Sequence, residues 1–187
     1  YTPYLRTPDN LPQSQRIDLM SEVVRTVGKA TKQNEYPIIT TQILCTHTRL
    51  PNEVNQAIVD LAVQMPEYVC AIDVAGGDNN YKERIDEFIK LYKYAREQGL
   101  KTTGHLYETP NGCHQELLPY LMRIGHGVQI PLKYPKLLKE VANQGQCLEV
   151  CPTTYFKTGT MDNMGQLKIV FDKCFDAGVD ICLLYTS

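Results

Sequence analysis

Short apolar, β-branched runs alternate along the whole chain with longer segments that have helical periodicity. Only short connections separate these segments, which predicts a parallel sheet built from βαβ units. We expect the end of a strand at 1–6, strands at 37–45 and 68–74, strands running into His105 and His126, and strands at 146–150 and 179–184. We expect helices at about 13–31, from Pro51, at 81–98, at about 113–121, from Pro135 and at 167–177.

Polar residues collect just after the predicted strands. They are Thr46-His47, Asp73 with Gly76, His105 with Glu108, His126, and Cys151-Pro152. In a parallel barrel all strand carboxyl ends meet at one face, whereas a doubly wound sheet gathers its site at one switch point. Polar groups spread over at least four consecutive strand ends therefore favour the barrel.

A complete (β/α)8 barrel needs eight strands and about 250 residues. The chain has 187 residues and six predicted strands, or seven if the strand ending near Tyr1 is counted. The sequence therefore predicts an α/β fold that is an incomplete TIM (β/α)8 barrel. We expect residues 1–187 to form a single partial barrel domain.

Two imidazoles and one carboxyl group form the candidate site. His105 and His126 end apolar runs, and Glu108 lies three residues beyond His105. Imidazole nitrogens bind metals or exchange protons near neutral pH, and a nearby carboxyl group adds general acid or base chemistry. On spacing alone, both histidines are equally compatible with packed or solvated roles. We expect His114 to be solvated within a helix and Cys151 to be a packing thiol.

The composition restricts partners and compartment. The formal net charge of −2 gives no electrostatic reason to expect nucleic acid. No apolar run approaches the roughly 20 residues that cross a bilayer, so no membrane association is expected. The 7 cysteines include no Cys-x-x-Cys spacing, which favours a reducing, cytoplasmic location over a disulfide framework.

Four motifs in order resemble the adenosine/AMP deaminase family, and the resemblance extends from Tyr1 to about Cys182. The motifs are Asp73-Val-Ala-Gly76, His105-x-x-Glu108, Arg123-Ile-Gly-His126-Gly127 and Glu149-Val-Cys151-Pro152. The resemblance implies a barrel of the metal-dependent hydrolase type that holds one zinc ion. It also implies hydrolytic deamination of a purine nucleoside or nucleotide at C6, a reaction with a small-molecule substrate.

The resemblance implies a role for each matching residue. His105 corresponds to a zinc ligand, and Glu108 to the acid that protonates purine N1. His126 corresponds to the residue that orients or deprotonates the zinc-bound water. Gly76 corresponds to the position whose backbone approaches purine N3, and Asp73 is expected to fix that loop by hydrogen bonding.

These residue types suit the chemistry. Zinc lowers the pKa of bound water to about 7, which makes hydroxide available near neutral pH. Attack at C6 disrupts the aromatic ring unless N1 gains a proton. General acid assistance of this kind contributes about 10²–10⁴-fold to the rate.

The chain departs from the family pattern at both ends. The family's other zinc ligands are a His-x-His pair on the first strand and an Asp on the eighth, so we expect them outside this fragment, which lacks the first and last barrel strands. Where the family has Thr-Asp-Asp, this chain has Leu184-Tyr185-Thr186-Ser187. We suspect that residues from about 183 to 187 are not native coding sequence and assign them no role.

The motifs do not distinguish between the substrates of two branches of the family. Leu106-Tyr107 replaces the Ala-Gly usual in adenosine deaminases and resembles the branch that acts on N6-methyl-AMP, whereas 153–159 resembles the adenosine branch. A 5′-phosphate would require a cation, for which Arg6, Arg49 and Lys157 are candidates. The remaining alternatives are another metal-dependent hydrolase and a non-catalytic, degenerate barrel that binds purines.

Overall fold

The computed structural model describes residues 1–33, 38–110 and 113–184. Pro37, at the start of the predicted first strand, and residues 185–187 lie outside this part. By their contacts the residues group into two compact units, Tyr1–Thr102 and Thr103–Ser187.

The first unit contains two complete strands and three long helices. In chain order its elements are a 3₁₀ helix at Pro3–Arg6, α1 at Gln13–Lys32, β1 at Gln42–His47, α2 at Asn52–Gln64, β2 at Val69–Ala75 and α3 at Asp78–Glu97. The strand β3, at Lys101–Leu106, begins in this unit. Strand β1 pairs in parallel with β2, and β2 pairs in parallel with the first two residues of β3.

The core of the first unit lies where α2 packs on β1 and β2. Val54 and Ile58 on α2 and Leu44 and Ile72 on the strands have no exposed surface. The two helix residues are four positions apart, so they lie on one face and meet the sheet together. This packing confirms the helix and both strands expected from the apolar spacing.

Tyr1 has the hydrogen bonds of a parallel strand residue. Its terminal amino group donates to the carbonyl of Ile43, and its carbonyl accepts from the N–H of Cys45. From Pro3, however, the chain forms a 3₁₀ helix, so the strand end expected at 1–6 is reduced to these two hydrogen bonds and is not a regular strand. Proline fixes φ near −65° and has no N–H to contribute to a sheet, which explains the early change.

The described residues of the second unit form the remainder of β3, three further strands, one 3₁₀ helix and four α-helices. Its elements are a 3₁₀ helix at Gln115–Tyr120, β4 at Arg123–His126, α4 at Gln129–Lys133, α5 at Pro135–Asn143, β5 at Cys147–Val150, α6 at Pro152–Thr158, α7 at Met164–Ala177 and β6 at Asp180–Leu183. Strands β3 to β6 pair in parallel, each with the next along the chain. Helix α7 packs against α4, α5 and β6.

Two details of the second unit differ from the sequence-based expectation. The helix expected at 113–121 is a 3₁₀ segment that contains Pro119. The ring of a proline clashes with the preceding turn of a regular α-helix, and proline has no N–H to donate. Helices α4 and α6 were not expected, because segments of 5 and 7 residues are too short to show helical periodicity.

Two further expectations were wrong. The strand expected from residue 37 begins at Gln42, and Ile38 and Ile39 before it are exposed. His114 precedes the 3₁₀ segment and is 9% exposed, so it is a buried histidine and not a solvated one.

The strand order is β1-β2-β3-β4-β5-β6. Within the described residues, every pairing joins strands that are consecutive in the sequence and parallel. A doubly wound sheet reverses its order at a switch point, and this sheet has no such reversal in the part of the chain that the structure describes. The arrangement is that of an incomplete (β/α)8 barrel, as predicted.

Candidate active site

His105 and His126 lie at the carboxyl ends of adjacent strands in the second unit. Their ring centroids are 5.2 Å apart, and the rings meet edge to face. His105 is exposed, whereas His126 is 8% exposed. The sequence-based expectation that both rings reach one neighbourhood is therefore met, although their catalytic roles stay a prediction.

The position of the His126 ring depends on a strained backbone. The pairing of β3 with β4 sets Leu106 opposite His126, so regular alternation would direct His126 to the face opposite His105. His126 instead has φ of 70°, in the left-handed region, which interrupts the alternation. Gly127 follows with φ of 66°, where an added Cβ would lie 2.6 Å from Leu148 Cδ2.

Glu108 completes the cluster. Its Oε2 lies 3.5 Å from His126 Nε2, and 31% of its side chain is exposed. The loop that carries it leaves β3 through Tyr107, which also has a positive φ of 55°. Left-handed residues other than glycine cost about 1–3 kcal/mol and concentrate at functional sites, so two of them beside these side chains are a structural indication of function.

Two hydrogen bonds from Gln129 fix the loop of Glu108. The backbone N–H of Gln129 donates to the carbonyl of Tyr107 at 2.9 Å, and its side-chain Nε2 donates to the carbonyl of Glu108 at 3.2 Å. Gln129 is 4% exposed. Sequence reasoning missed this residue because α4, which begins with it, gave no periodic signal.

Tyr155 is the second residue that the sequence did not reveal. It lies on α6 with no exposed surface, and its hydroxyl is 3.1 Å from His126 Nδ1. Burial raises the pKa of the Tyr155 phenol, so the group stays protonated near neutral pH. The sequence signals nearby were the Cys151-Pro152 strand end, which marks where α6 begins, and the resemblance of 153–159 to the adenosine branch, which gave Tyr155 no role.

Arg123 and Glu149 join two of the motifs across neighbouring strands. Arg123 Nε lies 2.6 Å from Glu149 Oε1. Arg123 begins β4 and Glu149 lies in β5, so the ion pair links the strand that ends at His126 to the strand that precedes α6. This gives the Arg and Glu of the two motifs a structural role beside the site.

Space is available next to Glu108. A cavity of ≈ 350 Å³ is lined by Glu108, Gln129, Lys133 and residues between Thr158 and Gln166. A volume of this size accommodates a small organic group or several waters. The carboxyl group of Glu108 is therefore accessible within the second unit.

Gly76 and Asp73 belong to the first unit. Gly76 has φ of 129°, and a Cβ added there would lie 2.0 Å from Thr48 Oγ1, so the local structure itself requires glycine. Asp73 Oδ1 accepts the N–H of Val74, its neighbour within β2, at 2.7 Å, and the expected role of Asp73 in fixing the Gly76 loop stays a prediction. His47 Nδ1 accepts the N–H of Arg49. The pKa of His47 is lowered mainly by burial and to a smaller extent by the positive charge of Arg49.

The described residues supply only part of a metal-binding site. His105 has the ligand type and accessibility for one coordination bond. A zinc site needs three or four protein ligands, and within 1–33, 38–110 and 113–184 no three His, Cys, Asp or Glu side chains are grouped to hold an ion. We therefore derive no reaction step through a metal from this geometry.

The chain matches the family model described as adenosine deaminase over residues 1–183. It belongs to the adenosine deaminase family. The adenosine deaminase of Clostridium acetobutylicum is 27% identical over 188 residues, which cover 98% of this chain and 53% of that protein. This chain spans about half the length of the relatives that it matches.

Solved structures share the fold. The N6-methyl-AMP deaminase of Arabidopsis thaliana superposes with a TM-score of 0.71 at 18% identity, over 88% of this chain and 50% of that one. An amidohydrolase of Burkholderia ambifaria with bound Zn gives a TM-score of 0.63 at 21% identity, over 92% and 47% of the two chains. These similarities confirm the prediction of an incomplete TIM barrel.

The described residues include no helix that combines the length and the apolar character needed to cross a membrane.

Proposed function

We propose that the whole protein hydrolytically deaminates adenosine, or a related 6-aminopurine nucleoside, at C6 to give inosine and ammonia. The observation that carries the proposal is the convergence of His105, Glu108 and His126 in the second unit. The two rings are 5.2 Å apart, and the carboxyl group lies 3.5 Å from His126. Membership of the adenosine deaminase family supports the same reaction class.

We assign each residue a part in the reaction. Glu108 delivers a proton to purine N1 as water adds to C6, which relieves the loss of ring aromaticity. His126 orients the attacking water or takes its proton, because its ring is close both to the Glu108 carboxyl group and to the exposed ring of His105. Gly76, in the first unit, presents backbone to the purine N3 edge.

His105 would hold one Zn²⁺ together with ligands outside this chain. Zinc, when bound, supplies hydroxide near neutral pH. The bound Zn of the similar Burkholderia ambifaria amidohydrolase supports this choice of metal. The partner is thus a small-molecule purine nucleoside or nucleotide, and nothing in the composition favours nucleic acid or a membrane.

The proposal is tested by Glu108→Gln in the polypeptide that carries the whole barrel. Glutamine keeps the size of the side chain and cannot act as an acid. We expect turnover of adenosine to fall by about 10²–10⁴-fold, with metal content and thermal stability unchanged. The measurements are steady-state kinetics and elemental analysis of the purified protein.

Glu116→Gln is the matched control, because Glu116 is an exposed glutamate of the same unit. It should retain full activity. If Glu108→Gln also turns over adenosine at the unmodified rate, Glu108 is not the proton donor and the proposed mechanism is wrong.

A second candidate substrate is N6-methyl-AMP. It is favoured by Leu106-Tyr107 at the end of β3 and by the fold similarity to the Arabidopsis thaliana N6-methyl-AMP deaminase. Comparing kcat/KM for adenosine, AMP and N6-methyl-AMP decides between the two. A preference for the nucleotides would assign the protein to the N6-methyl-AMP branch, and turnover of none of them would favour a non-catalytic purine-binding barrel or another hydrolase.

A further inference from the structure

The hydroxyl of Tyr155 has two hydrogen-bond partners in the second unit. The backbone N–H of Cys151 donates to the phenol oxygen at 3.0 Å, and His126 Nδ1 lies 3.1 Å from the same oxygen. The Tyr155 and His126 rings meet edge to face with centroids 5.6 Å apart. Because Tyr155 has no exposed surface, bulk water does not compete for these bonds.

The hydrogen bond from the Cys151 N–H determines which group donates in the hydrogen bond between Tyr155 and His126. The Cys151 N–H can only donate, so it takes a lone pair of the phenol oxygen and leaves the phenol proton to be donated elsewhere. Among the described residues, His126 Nδ1 is the acceptor within hydrogen-bond reach of that proton. If His126 Nδ1 instead carried a proton, the Tyr155 oxygen would accept hydrogen bonds from both Cys151 and His126. The buried Tyr155 O–H would then have no acceptor, which costs free energy.

We propose that Tyr155 is a positioning residue that holds neutral His126 as the tautomer with its proton on Nε2. The hydrogen bond at one imidazole nitrogen determines which nitrogen carries the proton. The structure thereby assigns a role to a residue that does not itself reach the reacting atoms.

Local structure makes Tyr155 suited to this role. Helix α6 begins at Pro152, one residue after β5, and ends at Thr158, before Gly159, which has φ of 71°. Within this single short helix Tyr155 is the buried residue, so its ring is directed inward while its neighbours face solvent. The result is a hydroxyl held at a fixed place beside Nδ1 of the His126 ring.

The consequence concerns the reaction and rests on the proposed deaminase function. A proton on Nε2 makes His126 a hydrogen-bond donor on the side that faces Glu108, whose Oε2 is 3.5 Å away. Of the two roles considered for His126, the geometry therefore selects orientation of the attacking oxygen by donation. Removal of a proton by Nε2 is not available to this tautomer.

The structural half of the proposal is tested without any activity measurement. Two-bond ¹H–¹⁵N correlation spectra of the ¹⁵N-labelled chain, recorded with a chelator at about pH 8 and above the ordinary histidine pKa of about 6.5, distinguish the two tautomers. His126 is assigned by comparison with His126→Gln. We expect its Nε2 to have the shift of a protonated nitrogen and its Nδ1 that of an unprotonated one.

Tyr155→Phe keeps the ring and removes the hydroxyl. We expect the His126 signals of this variant to move toward a mixture of tautomers. Tyr134→Phe is the matched control, because it removes a hydroxyl of the same unit that contacts Cys113 Sγ instead; it should leave the His126 signals in place. A wild-type spectrum with the proton on Nδ1, or a Tyr155→Phe spectrum identical to wild type, would overturn the proposal.

Kinetics then test the consequence separately. In the polypeptide with the whole barrel, Tyr155→Phe should lower kcat by about 10- to 100-fold, as loss of a partner that orients a site imidazole does, with KM little changed. A tautomer shift without loss of kcat would retain the structural assignment and reject the catalytic consequence. An inactive wild-type protein with the expected tautomer would instead count against the proposed function.

Discussion

At the scale of single residues, the fold and the proposed chemistry both require that Gly76 has no side chain. The family resemblance implied that the backbone at this position approaches purine N3. The structure adds that φ of 129° and the approach of Thr48 Oγ1 already exclude a Cβ. The need for glycine is therefore explained without a ligand, and its role toward the substrate stays a prediction.

Gly76→Ala should destabilise the protein by about 1–3 kcal/mol, because alanine would be strained at this φ and would displace Thr48. Chemical denaturation of the two proteins measures the change. Gly77→Ala is the control: Gly77 has φ of −69°, and the nearest heavy atom to an added Cβ is Arg49 Nη2 at 3.9 Å. Equal stabilities for both variants would contradict the strained conformation at Gly76.

His126 illustrates a residue whose environment could not be deduced from its neighbours in sequence. The motif Arg-Ile-Gly-His-Gly indicated that this histidine was important. The contacts with Glu108 and Tyr155 come from segments 18 and 29 positions away. The positive φ that brings the ring to them is set by tertiary bonds, among them the 3.0 Å bond from the Gly127 N–H to the Leu106 carbonyl.

At the scale of elements, the loops after β3 and β4 behave as one structure because Gln129 joins them. Its two hydrogen bonds connect the start of α4 to the carbonyls of Tyr107 and Glu108. The strands themselves were predictable from apolar, β-branched runs. The link between their loops was not, since it depends on a short helix that only the fold reveals.

Gln129→Leu should lower stability by about 1–2 kcal/mol, because it removes the side-chain donor to the Glu108 carbonyl while the backbone bond to the Tyr107 carbonyl remains. It should also reduce kcat by loosening Glu108. Gln146→Leu is the matched control. Gln146 is 3% exposed and donates to the carbonyls of Leu118 and Leu121, but it precedes β5, at the opposite end of the strands from Glu108.

Denaturation and steady-state kinetics on both variants separate the effects. We expect both variants to lose stability, Gln146→Leu the more because it loses two side-chain hydrogen bonds, and we expect a loss of kcat in Gln129→Leu alone. If the two variants lose kcat equally, the Gln129 bonds contribute only general stability and do not position Glu108.

At the scale of the whole molecule, the proposed metal site is the property most sensitive to how much of the barrel is present. Of the residues that the family resemblance assigns to zinc, this chain contains His105. The structure groups no three candidate ligands within its described residues. Imidazole ligation by one residue is too weak to hold the ion against water.

Isothermal titration of this polypeptide with ZnCl₂ should therefore reveal no sub-micromolar site. The His105→Ala variant serves as the control and should titrate in the same way. In the polypeptide that carries the whole barrel, by contrast, the same substitution should abolish stoichiometric zinc. A tight site in the 187-residue chain that disappears with His105→Ala would show that the present residues suffice.

The sequence by itself determined the class of fold, the parallel order of strand and helix, and the family, because apolar periodicity and motif spacing are local properties. It also identified His105, Glu108, His126 and Gly76 as candidates. Only the tertiary structure decided which groups surround them. The left-handed turn at His126, the Gln129 bonds and the buried Tyr155 hydroxyl each join segments distant in sequence, and such contacts form only once the strands have set the distances between their ends.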